Sequence, residues 1–117
     1  MLNLIIKNGQ CYIEGELRDV DVAISDGKIQ KIGQISDKAE NIIDAKGLTV
    51  LPGCIDTQTH FREPGSTDPE DLHSGSRAAV AGGITAVFEM PNTNPPTSTK
   101  KEFQKKLDLA KNRMYCN

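Results

Sequence analysis

Apolar residues in the first fifty positions come in short runs broken by turn residues. Leu2-Asn3-Leu4-Ile5-Ile6 has the length of a strand, and Lys7-Asn8-Gly9 follows it. Asn-Gly suits the two positive φ angles of a tight hairpin, so a first hairpin is expected here. Val20, Val22 and Ile24 alternate with Asp19, Asp21 and Ala23, the period of a half-buried strand. Ser25-Asp26-Gly27-Lys28 then predicts a second hairpin that returns through Ile29 to Ile32. Ile42-Ile43 and Leu48-Thr49-Val50, parted by Gly47, add two further runs. Residues 1–50 are thus expected to form the β-rich part of a small β-sandwich domain.

From residue 51 the pattern lengthens. Cys54-Ile55-Asp56 reads as a strand that ends in polar residues. Asp68-Pro69-Glu70-Asp71 reads as a helix start, with Asp68 capping and Pro69 at the first helical position. Leu72, Ser76, Ala79, Val80 and Gly83 share one face of that helix, and Gly82-Gly83 ends it. Ile84 to Glu89 is a continuous apolar run of the kind found in parallel sheets. A proline-rich loop, Met90 to Thr97, leads to a second helix at Thr99, where T-x-x-E forms a capping pattern with Glu102. Phe103, Leu107, Ala110 and Met114 make its inward stripe, and a further strand is expected from Tyr115. The order β-α-β-α gives the fold class as α/β, with residues 51–117 holding the first two βα units of a (β/α)8 TIM barrel. Such a barrel needs eight units and roughly 250 residues, so the barrel in this chain is incomplete.

Composition narrows the partners. The net charge is −2, with acids and bases interspersed. No basic stripe suggests nucleic acid and no polybasic cluster suggests a membrane surface. The apolar runs are too short to span a bilayer, and no signal-peptide pattern follows Met1. Cys11, Cys54 and Cys116 are odd in number and lack metal-type spacing, which points to reduced thiols and a cytoplasmic location.

Candidate chemistry follows the two predicted barrel strands. Residues two apart on a strand point the same way, so Gln58, His60 and Arg62 converge if the strand stays extended. Imidazole is a good zinc ligand, and a guanidinium grips a carboxylate through two parallel hydrogen bonds. In Glu89-Met90-Pro91-Asn92-Thr93-Asn94-Pro95-Pro96-Thr97, three prolines stiffen a loop that can aim an amide side chain. Ordinary turn chemistry accounts for the same residues. His73, among charged neighbours on the first helix, reads as a surface residue. The lysines at 100, 101, 105 and 106 read as a solvated face.

Taken together, Asp56 to Gly65 (DTQTHFREPG), the linking stretch Glu70 to Thr85 and the MPNTNPP loop resemble the dihydroorotase branch of the cyclic amidohydrolases. The resemblance covers essentially the whole chain, and Arg62 with the MPNTNPP loop favours dihydroorotase over allantoinases and dihydropyrimidinases. It implies an amidohydrolase-type barrel with a catalytic zinc. His60 matches the second histidine of the family's H-x-H metal pair, and Gln58 stands where the first would be. Arg62 matches the arginine that grips the substrate carboxylate, Asn92 the asparagine that assists it. Asp56 matches a strand-1 aspartate expected to orient a ligand, and Glu63-Pro64-Gly65 is expected to shape the loop. A glutamine oxygen is a neutral, weak zinc ligand. Three readings stay open: weaker metal binding, metal held mainly by residues elsewhere in a full barrel, or no metal.

The implied reaction is the reversible cyclisation of N-carbamoyl-L-aspartate to L-dihydroorotate in pyrimidine biosynthesis. No catalytic residue of that reaction is located among the 117 residues, and the chain alone is expected to be inactive. Two other readings remain: a non-catalytic homologue acting as an interaction module, and a related cyclic amidohydrolase such as an allantoinase. Exposed barrel strands imply self-association or a second chain that completes the barrel.

Overall fold

A computed structural model describes all 117 residues, Met1 to Asn117. They form two compact units, Met1–Pro52 and Gly53–Asn117. The first holds seven strands: β1 (Leu2–Lys7), β2 (Gln10–Ile13), β3 (Glu16–Asp19), β4 (Asp21–Ser25), β5 (Lys28–Gly33), β6 (Ala39–Asp44) and β7 (Thr49–Val50). They make one sheet in the order β5-β4-β1-β6 and another in the order β3-β2-β7. Ile5 and Ala23 are fully buried and pack with Ile35 as the core of this unit.

The hairpin expected at Lys7-Asn8-Gly9 does not form. Strand β1 pairs antiparallel with β4 and parallel with β6, while β2 belongs to the other sheet. Asn8 does adopt a positive φ of 63°, but Gly9 does not, and a primed hairpin turn needs both. Instead Asn8 donates its backbone N–H to Asp21 Oδ1 (3.2 Å) and its side-chain amide to Asp44 Oδ1 (2.9 Å). Gly9 answers to packing: a Cβ there would stand 2.9 Å from Ala45 Cβ. Asp21, placed on the solvent side of β4 by the alternation, is buried, and its second oxygen accepts from the Ile35 N–H at 3.2 Å. The hairpin at Asp26-Gly27 does form, joining β4 to β5 with φ of 52° and 69°. A second one at Glu14-Gly15 (φ 53° and 89°) joins β2 to β3. It escapes sequence reading because glutamate rarely occupies the left-handed region.

The second unit runs β8 (Cys54–Thr59), α1 (Leu72–Ala81), β9 (Ile84–Glu89), α2 (Lys100–Ala110). Strands β8 and β9 pair in parallel, with Cys54 opposite Ile84 and Thr59 opposite Glu89. The first helix starts at Leu72, not after Asp68. Asp71 is its cap, accepting from the Ser74 N–H at 2.7 Å while Ser74 Oγ accepts from the Asp71 N–H at 3.0 Å. Ser74, three residues on from Asp71, supplies the acceptor that closes this reciprocal box. Leu72, Gly75 and Ser76 are buried, whereas Val80, assigned to the same face, is 41% exposed. Thr99 caps α2 as expected, accepting from the Glu102 N–H at 3.2 Å. Its apolar stripe lines a cavity of about 300 Å³ shared with Phe61, Leu72 and Val87, but Phe103 and Leu107 are exposed and not turned inward as expected.

No regular strand starts at Tyr115. Asn117 instead donates to Thr85 O (2.9 Å) and accepts from the Val87 N–H (2.8 Å), a single parallel rung beside β9. Neither helix is long and apolar enough to cross a membrane.

Candidate functional site

Parallel strands deliver their C-terminal ends side by side, and here the two chains of chemistry meet. Strand β8 ends at Thr59 and β9 at Glu89, so His60 and Asn92 both lie just past strand ends. His60 Nδ1 and Asn92 Oδ1 are 2.7 Å apart. An amide oxygen only accepts, so the pairing needs the proton on Nδ1, and in the neutral ring Nε2 then carries the lone pair. It also leaves the Asn92 NH₂ group free to donate. Arg62 is exposed and lies outside every ion pair of the chain. Gln58 is exposed, and its backbone N–H donates to Asp56 Oδ1 at 2.9 Å. Asp56 thus acts on the strand-end backbone. The structure brings His60 and Asn92 together. The strand does not extend through His60 and Arg62, as their expected convergence with Gln58 required.

The two loops are tied to each other along their length. Met90 N–H donates to Thr59 O (2.8 Å), and Asn94 N–H to Pro64 O (3.0 Å). Gly65 has φ of 108°, and a Cβ there would overlap the Asn94 carbonyl oxygen and stand 2.6 Å from Asn94 Cβ. The close approach of the loops therefore requires glycine at this position.

Glu63, from the segment expected only to shape the loop, is buried and ties that loop to the start of α1 and to Arg113 beyond α2. Its two oxygens accept from Arg113 Nη1 and Nη2 at 2.9 Å each, and Oε2 also accepts from the Leu72 N–H at 2.9 Å. The Arg113 hydrogen bonds hold its carboxyl below the usual carboxylate range, against the opposing effect of burial. Arg113 also reaches Asp71 Oδ2 at 3.3 Å, joining the cap of α1 to the same cluster. Two further residues were given no role in the site from sequence. Glu89, at the end of β9, accepts from the Phe61 N–H at 3.0 Å and pairs with Lys106 of α2. Lys106, assigned to a solvated face, is 8% exposed. His73 is exposed as expected, and its ring packs edge-on against Tyr115 with centroids 5.2 Å apart.

No three histidine, cysteine, aspartate or glutamate side chains cluster in a way that could hold a metal ion. The strand ends offer one imidazole nitrogen, at His60, and the neutral amide of Gln58. These donors do not make a zinc site by themselves, since structural and catalytic zinc alike take at least three protein ligands.

Residues 49–114 match the model of the amidohydrolase family. The chain belongs to the amidohydrolase family. Among its relatives, an allantoinase of Escherichia coli O1:K1 / APEC is 46% identical over 113 residues, covering 96% of this chain and 25% of the relative. The chain thus spans about a quarter of the length of the curated relatives it matches. The L-hydantoinase (dihydropyrimidinase) from Arthrobacter aurescens superposes with a TM-score of 0.87 at 31% identity, over 100% of this chain and 27% of that one. The N-acyl-D-glutamate deacylase from Bordetella bronchiseptica, in complex with zinc and a phosphonate inhibitor, superposes with a TM-score of 0.60 at 27% identity. It covers 74% of this chain and 18% of that one. The relatives named allantoinase and hydantoinase shift the expectation within the family: dihydroorotase, favoured by the Arg62 and MPNTNPP motifs, has no support among them.

Proposed function

We propose that this chain supplies the first two strand-end loops of a cyclic amide hydrolase that opens allantoin or a related five-membered ureide ring. The observation that carries the reading is the His60–Asn92 pair at adjoining parallel strand ends, in a chain 46% identical to an allantoinase. Ring opening needs donors on the ring carbonyls as negative charge develops on oxygen. Asn92 keeps its NH₂ group free for that purpose, and Arg62 offers an exposed guanidinium. His60 presents the Nε2 lone pair, the form in which a histidine accepts a proton or binds a metal. A zinc ion, where other segments complete its ligands, would supply a hydroxide at neutral pH.

A second reading keeps dihydroorotate as substrate. It rests on Arg62, because a guanidinium grips a carboxylate through two hydrogen bonds and dihydroorotate carries one. Allantoin does not.

A chimera separates them. The E. coli allantoinase, with its matching quarter replaced by this chain, is assayed with allantoin, hydantoin and L-dihydroorotate. The proposal expects loss of allantoin at a rate above a chimera carrying His60→Ala. Turnover of dihydroorotate alone would establish the second reading, and a folded chimera that opens no ring would overturn both.

A further inference from the structure

We infer that Glu89 is a positioning residue for His60, acting as a hydrogen-bond acceptor and not through its charge. The inference deepens the proposed function, since it concerns the residue that reading places at the reacting ring. The peptide groups on both sides of His60 are held by the dipeptide Glu89-Met90. On one side Thr59 O accepts from the Met90 N–H at 2.8 Å. On the other the Phe61 N–H donates to Glu89 Oε1 at 3.0 Å. Lys106 closes the ring: its ammonium pairs with Glu89 Oε2 and donates to Met90 O at 3.3 Å. The side chains of Lys106 and Glu89 are only 10% and 16% exposed, so water competes little for these bonds.

The consequence is geometric. A histidine one residue past a strand end has free φ and ψ unless its flanking peptides are fixed. Here both are fixed by residues 89 and 90, and the ring then meets Asn92, two residues further along the same loop. The imidazole and its amide partner are thus referenced to one short piece of backbone. Lys106 offsets the charge of Glu89 from the neighbouring helix, while Phe61 buries its ring against Gly75 of α1, where a Cβ would stand 2.8 Å from Phe61 Cδ1. Loss of the acceptor releases the Phe61 peptide and with it the ring of His60.

A charge-based or purely packing role makes a different prediction from an acceptor role, and paired variants distinguish them. Glu89→Gln/Lys106→Met removes both charges but keeps an oxygen for the Phe61 N–H. Glu89→Leu/Lys106→Met removes both charges and the oxygen. The readout is the pair of ¹⁵N imidazole resonances of His60 in the 117-residue chain, held above the imidazole titration. Asn92→Ala supplies the released reference. The inference expects one protonated and one bare nitrogen in the parent and in the glutamine double variant. It expects the leucine double variant to show the averaged pair seen with Asn92→Ala. Retention of the parent spectrum in the leucine double variant overturns it, as does averaging in the glutamine double variant. Should the leucine variant fail to fold, amide exchange decides. The Phe61 N–H in the parent is expected to exchange about 10- to 100-fold more slowly than in a peptide of the same sequence, and an unprotected Phe61 amide overturns the inference. None of these readouts depends on turnover, so failure to open a ring would fell the proposed function and leave this result standing.

Discussion

Replacing Gly65 by alanine tests whether the two strand-end loops are held in contact as described. Two costs are separable. The first is conformational: φ of 108° lies in the left-handed half of the map, where a Cβ costs about 1–2 kcal/mol. The second is contact. The new methyl would overlap the Asn94 carbonyl oxygen and sit 2.6 Å from Asn94 Cβ. Relief requires the loops to part, which lengthens the Asn94 N–H to Pro64 O bond of 3.0 Å and forfeits about 1 kcal/mol. The sum is about 2–3 kcal/mol, or a fall of about 10–20 °C in the unfolding temperature of a unit this size. Gly83→Ala is the control in the same unit: its φ is 88°, but nothing lies within 4 Å of the added Cβ. It should cost only the conformational part. The assay is thermal and urea unfolding of both variants, with amide exchange at Asn94. If Gly65→Ala is no more destabilising than Gly83→Ala, and Asn94 exchanges as in the parent, the loop contact is wrong.

Other consequences follow from the ion pairs, the core and the donors at the strand ends. Glu63 has a depressed carboxyl pKa in the folded chain, so its stabilisation is present above the unfolded value of about 4.3 and is lost as pH falls through the folded value. Urea unfolding should therefore show Glu63→Gln less stable than the parent at neutral pH, with the gap closing in acid. In the first unit, Ile5→Ala should cost about 2–5 kcal/mol, because the side chain is fully buried among Ala23 and Ile35; denaturant unfolding measures it. At the strand ends, Gln58→His should raise zinc affinity at least about tenfold by exchanging a weak neutral donor for an imidazole. Competition against a chromophoric chelator reads this directly, and equal affinities would show that residue 58 does not face the metal.

The periodic parts of this fold were legible because their signals are local. Thr99 and Glu102 mark a helix start within four residues, and Asp26-Gly27 marks a hairpin within two. Where a partner distant in sequence decides, the pattern misleads. Asn8-Gly9 looks like a hairpin until Asp21 and Asp44 take up Asn8 and carry the chain into another sheet. Asp68 looks like a cap, yet Ser74 selects Asp71. The site divides in the same way. His60 and Asn92 stand in motifs after strands and could be named from sequence. Glu89 and Lys106 could not, because their importance lies in an ion pair spanning a strand end and a helix. The charge of Lys106 reads locally as solvent-facing.

The central claim is that the loops after β8 and β9 together form a site for a cyclic amide. Titrating the isotope-labelled chain with allantoin, with hydantoin and with L-dihydroorotate tests it most directly. The account predicts saturable shifts with allantoin or hydantoin at the Asn92 side-chain amide, the Arg62 guanidinium and the His60 ring, with the Arg62 and His60 shifts lost in Asn92→Ala. Shifts confined to other residues, or none with any ring up to its solubility, would contradict it.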